Sequence, residues 1–532
     1  MANRTWLAVA LACLVWFTYM RWFAPPPLPV GGSVKTEAPA TAEKSSVGQG
    51  SGIPVAGSTA SSPFAAGLVL AETAKLDTPT LAISLSDRGG KIASVRVLQY
   101  TEGLDDNLPK IASLNASTMS LSLGALFTEP ALADLGTGVF SRSQAGQKVT
   151  FQKESNGAAI TKTYETTDGD YFLAHEITLR VPSTKRDWGY LYVPVGGSGL
   201  KISHEEPLNA WEAVAFQNDE VTRKAADAIE PGATTLQGNS KWIAFGNRYF
   251  ANAVINESSI NPDIVFEKGG DFSGVYFRFP LVFKEGQNEL SLKFKIFSGP
   301  KEYSELAKVP GMRQLIDYGF FSFFAYPLLE ILRFFNGFLH NFGLAIILLT
   351  LMVRVLFYPL SLKSYQSMKA MQKLQPQINA LKEKYKDDAA RFGQEQMALF
   401  RQHKVNPAGG CLPMLVQLPV FIALYAVLQS SIELFHAPFY GWVQDLSSKD
   451  PYYVFPVLMG FAMFAQQKMT PVAGMDPMQQ KILLLMPVVF TFIMLNLPSG
   501  LTIYIFVSTV LGILQQLLMN REPGKAKALP AS

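Results

Sequence analysis

Arg354 stands alone in an apolar run, Leu351-Met352-Val353-Arg354-Val355-Leu356-Phe357. A guanidinium inside a membrane helix costs about 2.5–3.5 kcal/mol on insertion scales, and a residue retained at that cost marks a polar site or path by default. The plainer reading is snorkelling. Arg354 lies nine residues before Lys363, and at about 1.5 Å per residue its head can reach back to the headgroups. Spacing alone leaves the two readings balanced. Two features favour the polar site. Thr350 and Tyr358 flank Arg354 four residues to either side, which in a continuous helix puts all three on one face. No acid in the other apolar runs is placed to neutralise it, since Glu433 falls at the opposite end of its run. A polar stripe around an unpaired cation fits a wet cavity. Gln417 and Tyr504, on other runs, would extend it; each also reads as an ordinary packing polar group.

Other chemistry is hard to build from this sequence. The five histidines are scattered, with no metal-ligand spacing. The only cysteines, Cys13 and Cys411, lie in or beside apolar segments, so the long stretch between them is expected to fold without disulfides. Asp168-Gly169-Asp170 lacks the rest of a calcium loop and reads as a turn. There is no nucleophile elbow, phosphate loop or metal motif. Neither a cofactor nor a metal is expected.

These residues must be held by a chain of 532 residues with 48% hydrophobic and 17% charged. That mixture implies a part-membrane, part-soluble protein of two or more domains. The net charge of +4 is too small to imply nucleic acid. Residues 1–24 hold one apolar segment, Thr5 to Phe23. It is expected to be a retained anchor; the alternative is a cleaved signal, which Pro25 straight after Ala24 makes a poor substrate. Residues 25–62 are rich in Pro, Gly, Ser, Thr and Ala and read as a flexible tether.

Over 63–310 the pattern turns to period two. Leu81-Ala82-Ile83-Ser84-Leu85 and Met119-Ser120-Leu121-Ser122-Leu123 alternate, and longer runs follow at Ala158 to Thr166, Tyr171 to Val181 and Glu289 to Phe297. Alternation broken by Gly-Gly and Asp-Gly turns predicts antiparallel strands, and hence a large all-β sandwich. Residues 311–336 mix Phe, Leu and Ile with Arg313, Asp317, Glu330, Arg333 and Pro327. This segment is expected to be an amphipathic helix in the membrane interface. Read instead as a further span, it would turn the next basic loop outward.

Residues 337–519 carry five apolar runs, at about 338–360, 411–433, 452–468, 482–497 and 500–519. Each is a candidate span, the third and fourth short against the roughly 20 residues usually needed. The loop 363–404 has nine basic residues against four acidic ones, whereas 433–451 has three acids against Lys449. Basic loops stay cytoplasmic. Six spans with both termini inside satisfy every loop, which puts 25–337 outside and the basic tail 520–532 inside. Within 363–404, Met368, Met371, Leu374, Ile378, Leu381 and Tyr385 recur at helical spacing, with Phe392, Met397 and Phe400 beyond Asp387-Asp388. That predicts a helical hairpin with a basic face, suited to anionic lipid or ribosomal RNA. Methionines are dense in the bundle, fit for core filling or for a surface that accepts varied apolar partners.

Four segments are more specific: Asn406-Pro407-Ala408-Gly409-Gly410-Cys411-Leu412-Pro413, Asp450-Pro451-Tyr452-Tyr453, Asp476-Pro477-Met478-Gln479-Gln480-Lys481 and Pro498-Ser499-Gly500-Leu501. Together with Arg354 and the basic hairpin they resemble the YidC/Oxa/Alb family of membrane protein insertases, over about 338–519. The first span and outer domain resemble the Gram-negative form. The resemblance implies an α-helical insertase core with a β-supersandwich outside, in the cell inner membrane. It implies an insertase and chaperone, not an enzyme, that hydrolyses no nucleotide. Its partners would be nascent membrane proteins, the Sec translocon, the lipid bilayer, and a ribosome or targeting receptor at the basic hairpin; DNA is not among them. It implies that Arg354 lies in a hydrophilic groove that draws in the polar, often acidic, part of a client, with Thr350, Gln417 and Tyr504 at lining positions. Where some relatives carry a tyrosine pair in the last span, this chain has Tyr504 followed by Ile505. A solute transporter, the main rival class, calls for paired broken helices and mid-membrane acids, and neither is present.

Overall fold

The computed structural model describes residues 72–101, 104, 110–115, 125–166, 171–182, 185–198, 211–269, 272–386, 388–403, 405, 412–469 and 477–521. The expected anchor, the tether, the Met119–Leu123 alternation, Asp168-Gly169-Asp170, most of the Asn406–Pro413 motif and most of the tail lie outside them. The chain forms two compact units. One holds Pro359–Pro413 and Thr470–Leu483; the other holds Ala60–Tyr358, Met414–Met469 and Leu484–Ser532.

In the larger unit the β domain is built from three antiparallel sheets. The first runs β1 (Ala74–Asp77), β2 (Leu81–Ser86), β3 (Lys91–Thr101) and β4 (Lys110–Asn115), in chain order. Then follow β5 (Leu126–Phe127), β6 (Ser141–Ala145), β7 (Lys148–Ser155), β8 (Ala158–Thr166), β9 (Phe172–Arg180), β10 (Asp187–Ser198), β11 (Glu212–Gln217) and β12 (Glu220–Ala225). The rest are β13 (Gly232–Leu236), β14 (Ser240–Gly246), β15 (Phe250–Asn256), β16 (Asp263–Gly269), β17 (Phe272–Val282) and β18 (Glu289–Pro300). Nine of these form one sheet in the order β12-β11-β14-β15-β18-β9-β8-β7-β6, and five form another, β13-β16-β17-β10-β5. The all-β sandwich inferred from alternation is therefore present. It is richer than a simple two-layer sheet pair, because the small first sheet adds a third.

Burial explains the pattern. On β8, Ala158, Ile160, Lys162, Tyr164 and Thr166 point inward and the residues between them do not, as period two requires. β14 is buried on both faces from Trp242 to Gly246, since its sheet packs against β10 and β17. Trp242 stacks on Phe216 at 5.3 Å, and Phe245 on Trp211 at 5.3 Å. One inward residue is a lysine. Lys162 Nζ donates to the Gly89 carbonyl at 2.6 Å and lies 4.9 Å from the Phe140 ring centre, while the Tyr164 hydroxyl donates to Gly90 at 3.0 Å. Gly89 and Gly90 both have positive φ, +81° and +52°, which turns their carbonyls into the core at little steric cost.

The helices are α1 (Ala133–Thr137), α2 (Tyr303–Leu306), α3 (Ser322–Leu339), α4 (Phe342–Leu356), α5 (Tyr358–Lys373), α6 (Gln375–Lys384), α7 (Ala389–Gln402), α8 (Leu412–Ser430), α9 (Val454–Met469), α10 (Pro477–Met494) and α11 (Ser499–Arg521). Helices thus fall on all five apolar runs. Ser499–Met519, with a mean hydropathy of 1.8, is long and apolar enough on its own to cross a bilayer. From Leu483 to Met494 α10 is apolar apart from Thr491 and mostly bare: Leu485, Met486, Val488, Val489, Phe492 and Ile493 are all exposed, as in a helix that faces lipid.

The segment 311–336 is not one helix. Two 3-10 turns, Met312–Leu315 and Gly319–Phe321, come first, and α3 starts only at Ser322. Gly311 (φ +76°) and Gly319 (φ +67°) hold left-handed conformations that a helix cannot continue through. From there α3 buries Ala325, Leu328, Leu329 and Leu332 and leaves Phe323, Phe334 and Phe338 exposed. The β domain meets the bundle through Phe435, in the loop after α8, whose ring lies 5.0 Å from Tyr249, 6.0 Å from Phe250 and 6.2 Å from Tyr100.

In the smaller unit α6 and α7 form a hairpin around Leu374, Ile378 and Phe400, with Met371, Phe392 and Leu399 against them. Asp388 caps α7 by accepting from the Arg391 N–H at 2.9 Å. Met397, one of the periodic residues, is exposed instead.

Candidate functional site

Arg354 is placed by α4. Asn341 starts that helix, its side-chain oxygen accepting from the Leu344 N–H at 3.0 Å while its Nδ2 donates to the Phe439 carbonyl at 3.2 Å. Two residues past Arg354 the helix stops at Leu356. Pro359 lacks an N–H and its ring would clash with the carbonyl four residues back, at Val355, but it is tolerated in a first turn; the helix therefore breaks at Phe357 and the chain restarts as α5 at Tyr358.

The guanidinium reaches α11. Arg354 Nε donates to Ser508 Oγ at 3.2 Å, and Nη2 donates to Ser508 Oγ at 2.8 Å and to the Ser508 carbonyl at 2.6 Å. Nη1 takes part in none of these bonds. Among the described residues no carboxylate lies within ion-pair distance of Arg354; its partners are a hydroxyl and a carbonyl, both neutral. Arg354 itself remains partly exposed.

α11 makes room for the arginine. At Gly512 an added Cβ would lie 2.6 Å from Gln466 Nε2 and 3.4 Å from both Nη1 and Nη2 of Arg354. The bare glycine thus lets a side chain of α9 and the guanidinium of α4 close over the same turn. Tyr504, Ser508 and Gly512 follow one another at intervals of four, so they line one face of α11. Tyr504 is buried, with the Gln417 side chain of α8 close enough to interact with its hydroxyl and the Phe421 ring 6.3 Å away.

Four of the five residues singled out in the sequence therefore fall on three neighbouring helices, in two different roles. Arg354, Gln417 and Tyr504 offer polar groups to a common region. Thr350 is buried at 1% exposure and its hydroxyl donates to its own helix, at the Ile346 carbonyl, 2.6 Å away. Tyr358 does not share their face: it lies beyond the break, 44% exposed. Residues four apart share a face only on an unbroken helix, and the chain breaks at Phe357. Ser508, Gly512 and Gln466 were missed. The first two carry a signal, since small residues four apart in an apolar helix let another helix approach closely. Gln466 carries none.

Among the described residues the arrangement holds a permanent cation against neutral acceptors, with Nη1 outside these bonds. It has no nucleophile, no base and, among the described residues, no cluster able to hold a metal.

Two family models cover the chain: "YidC periplasmic domain" matches 73–331 and "60Kd inner membrane protein" matches 334–526. The chain is 35% identical to the membrane protein insertase YidC of Geobacter metallireducens, over 99% of this chain and 100% of that one. It is 36% identical to that of Geotalea daltonii, over 100% of both. A crystal structure described as an active YidC insertase with its first transmembrane domain resolved matches at 19% identity and a TM-score of 0.36, over 85% of this chain and 95% of that one.

Proposed function

The chain belongs to the YidC family of membrane protein insertases, and from that premise we propose that Arg354, seated on Ser508, is the polar floor over which a client's hydrophilic segment crosses the bilayer. Insertion of membrane proteins is the family's activity; the route through this chain is our reading. A polar segment in hydrocarbon loses water from every backbone N–H and C=O, at several kcal/mol for each group left unsatisfied. A cation held by neutral groups keeps its full charge for an incoming carboxylate, and charge-assisted hydrogen bonds are roughly twice as strong as neutral ones. Gln417 and Tyr504 would line the rest of a groove open to the cytoplasm, with Thr350 packed behind them. The client's apolar helix would lie against α8 and the bare face of α10.

Several finer points belong to the same proposal. Both termini are cytoplasmic and 25–337 faces the periplasm, as the lysine and arginine bias requires. The basic hairpin of α6 and α7 meets the ribosome or a targeting receptor, and the β domain serves the Sec translocon. No nucleotide is consumed and no covalent step occurs, so the protein acts as an insertase and not as an enzyme.

The observation that carries the proposal is the position of Arg354: on an apolar helix, partly exposed, and bonded among the described residues to a serine's hydroxyl and carbonyl. The test is reconstitution of the purified protein in liposomes with a small single-span client bearing an acidic tail, with no nucleotide added. Protease protection of the tail is expected. Failure to translocate it without a nucleotide contradicts the reading.

A further inference from the structure

A second polar site lies well away from Arg354. A cavity of about 330 Å³ opens where α3, the turn into α4, and the loop after α8 meet β3. That is small for a helix and suits a compact headgroup or small molecule. Asn336 of α3, His340 in the turn, and Glu433 and Phe435 of the loop line it, with Tyr100 from β3.

Its electrostatics are unbalanced. Glu433 Oε1 and Asn336 Oδ1 are both buried acceptors with no hydrogen-bond partner, an arrangement natural structures rarely leave unfilled. The nearest cation, Arg333, is shared. It stands 3.9 Å from Glu433, 3.9 Å from Glu302 and 3.7 Å from Glu330. One positive charge thus faces three carboxylates, none at close contact. Neither acceptor has an N–H donor bonded to it and Arg333 is shared, so a group that brings both charge and N–H donors completes the site. A primary ammonium does so with three donors. A quaternary ammonium has the charge and no donor.

The surface beside it indicates what carries that group. Phe334 and Phe338, within a turn of Asn336 on α3, are 69% and 54% exposed. Such a face meets acyl chains at a membrane interface.

We propose that this cavity binds the primary ammonium headgroup of an amine lipid, with Glu433 and Asn336 as the acceptors that select it. The site is independent of the Arg354 groove, so either can fail without the other.

The test uses the full chain, stripped of lipid in detergent and titrated by native mass spectrometry. The probes are a phosphatidylethanolamine, a phosphatidylcholine with the same acyl chains, and free ethanolamine. Retention of the ethanolamine lipid at least ten-fold over the choline lipid is expected, with free ethanolamine binding weakly. Glu433→Gln should remove that preference. Ala437→Leu, which fills the cavity from a lining position, should remove it too and leaves the charges untouched. Equal retention of the two lipids by the parent, or an unchanged preference in both variants, overturns the proposal. Free ethanolamine binding as tightly as the lipid overturns the lipid as its source.

Discussion

Arg354 binds Ser508 twice over, at its hydroxyl and at its carbonyl, through Nε and Nη2, at 2.6–3.2 Å. This fixes the cation of α4 against α11 without neutralising it. The serine can be removed without touching the charge. Ser508→Ala deletes both bonds to the hydroxyl and keeps the carbonyl. A hydrogen bond to a charged group contributes about 1.5–3 kcal/mol, so the arginine should become mobile. Transport of an acidic-tail client should fall several-fold, less than when the charge is lost. Full activity in Ser508→Ala would show that the seat is not needed.

Gly512 should be just as telling. Its missing side chain lets Gln466 and Arg354 approach α11 together. Gly512→Val should push both away and impair insertion more than Gly512→Ala, which only displaces the flexible Gln466 amide. Insertion assayed in both variants at equal protein level checks the order, and equal activities would contradict it.

Much of this was legible in the sequence, and the failures have physical causes. The β8 alternation needed only period two; that one of its inward residues is a lysine emerged from the structure. Arg354 was conspicuous because charge is rare in an apolar run. Its partner was not, because a serine in a membrane helix is common and only the interval Tyr504-Ser508-Gly512 sets it apart. Tyr358 was misplaced because spacing was followed across the break at Phe357, although Pro359 just beyond already marks a helix boundary. The late start of α3 turns on Gly311 and Gly319, whose left-handed backbone no periodicity reports.

The β domain should show a pH dependence of known sign. Burial, helped by nearby Lys91, lowers the pKa of Lys162 from 10.5 to about 7. Below pH 7 the lysine is charged both folded and unfolded, and the full burial penalty applies. As pH rises from 7 to 10.5 the folded form sheds its proton first, so stability rises. At about 1.36 kcal/mol per pKa unit, the gain is on the order of 5 kcal/mol. Burial also lowers His175 from 6.5 to about 3, so stability should fall as pH drops from 6.5 towards 3. Lys162→Met should flatten the alkaline limb alone, measured as Tm against pH. An unchanged alkaline slope would contradict this.

Phe435 should hold the β domain to the bundle, since its ring meets Tyr100, Tyr249 and Phe250. A buried Phe→Ala change costs about 3–5 kcal/mol; with Phe435 partly exposed, the lower end is expected. Phe435→Ala should split thermal unfolding into two transitions. A single transition at the parent's Tm would show that other contacts suffice.

Sidedness can be tested with single cysteines in a chain freed of Cys13 and Cys411. Ser143 on β6 and Gln394 on α7 are exposed. A membrane-impermeant maleimide added to spheroplasts should label Ser143→Cys at once and Gln394→Cys only after permeabilisation. The reverse pattern would invert the proposed topology.

The central claim is that the charge of Arg354 carries the client's polar segment. Its most direct measurement is translocation of one single-span client, with an acidic or a neutralised tail, by the parent, Arg354→Lys and Arg354→Ala in liposomes. The account predicts that lysine supports the acidic client well above alanine, and that neutralising the tail narrows the gap. Arg354→Ala translocating the acidic tail as well as the parent would contradict it.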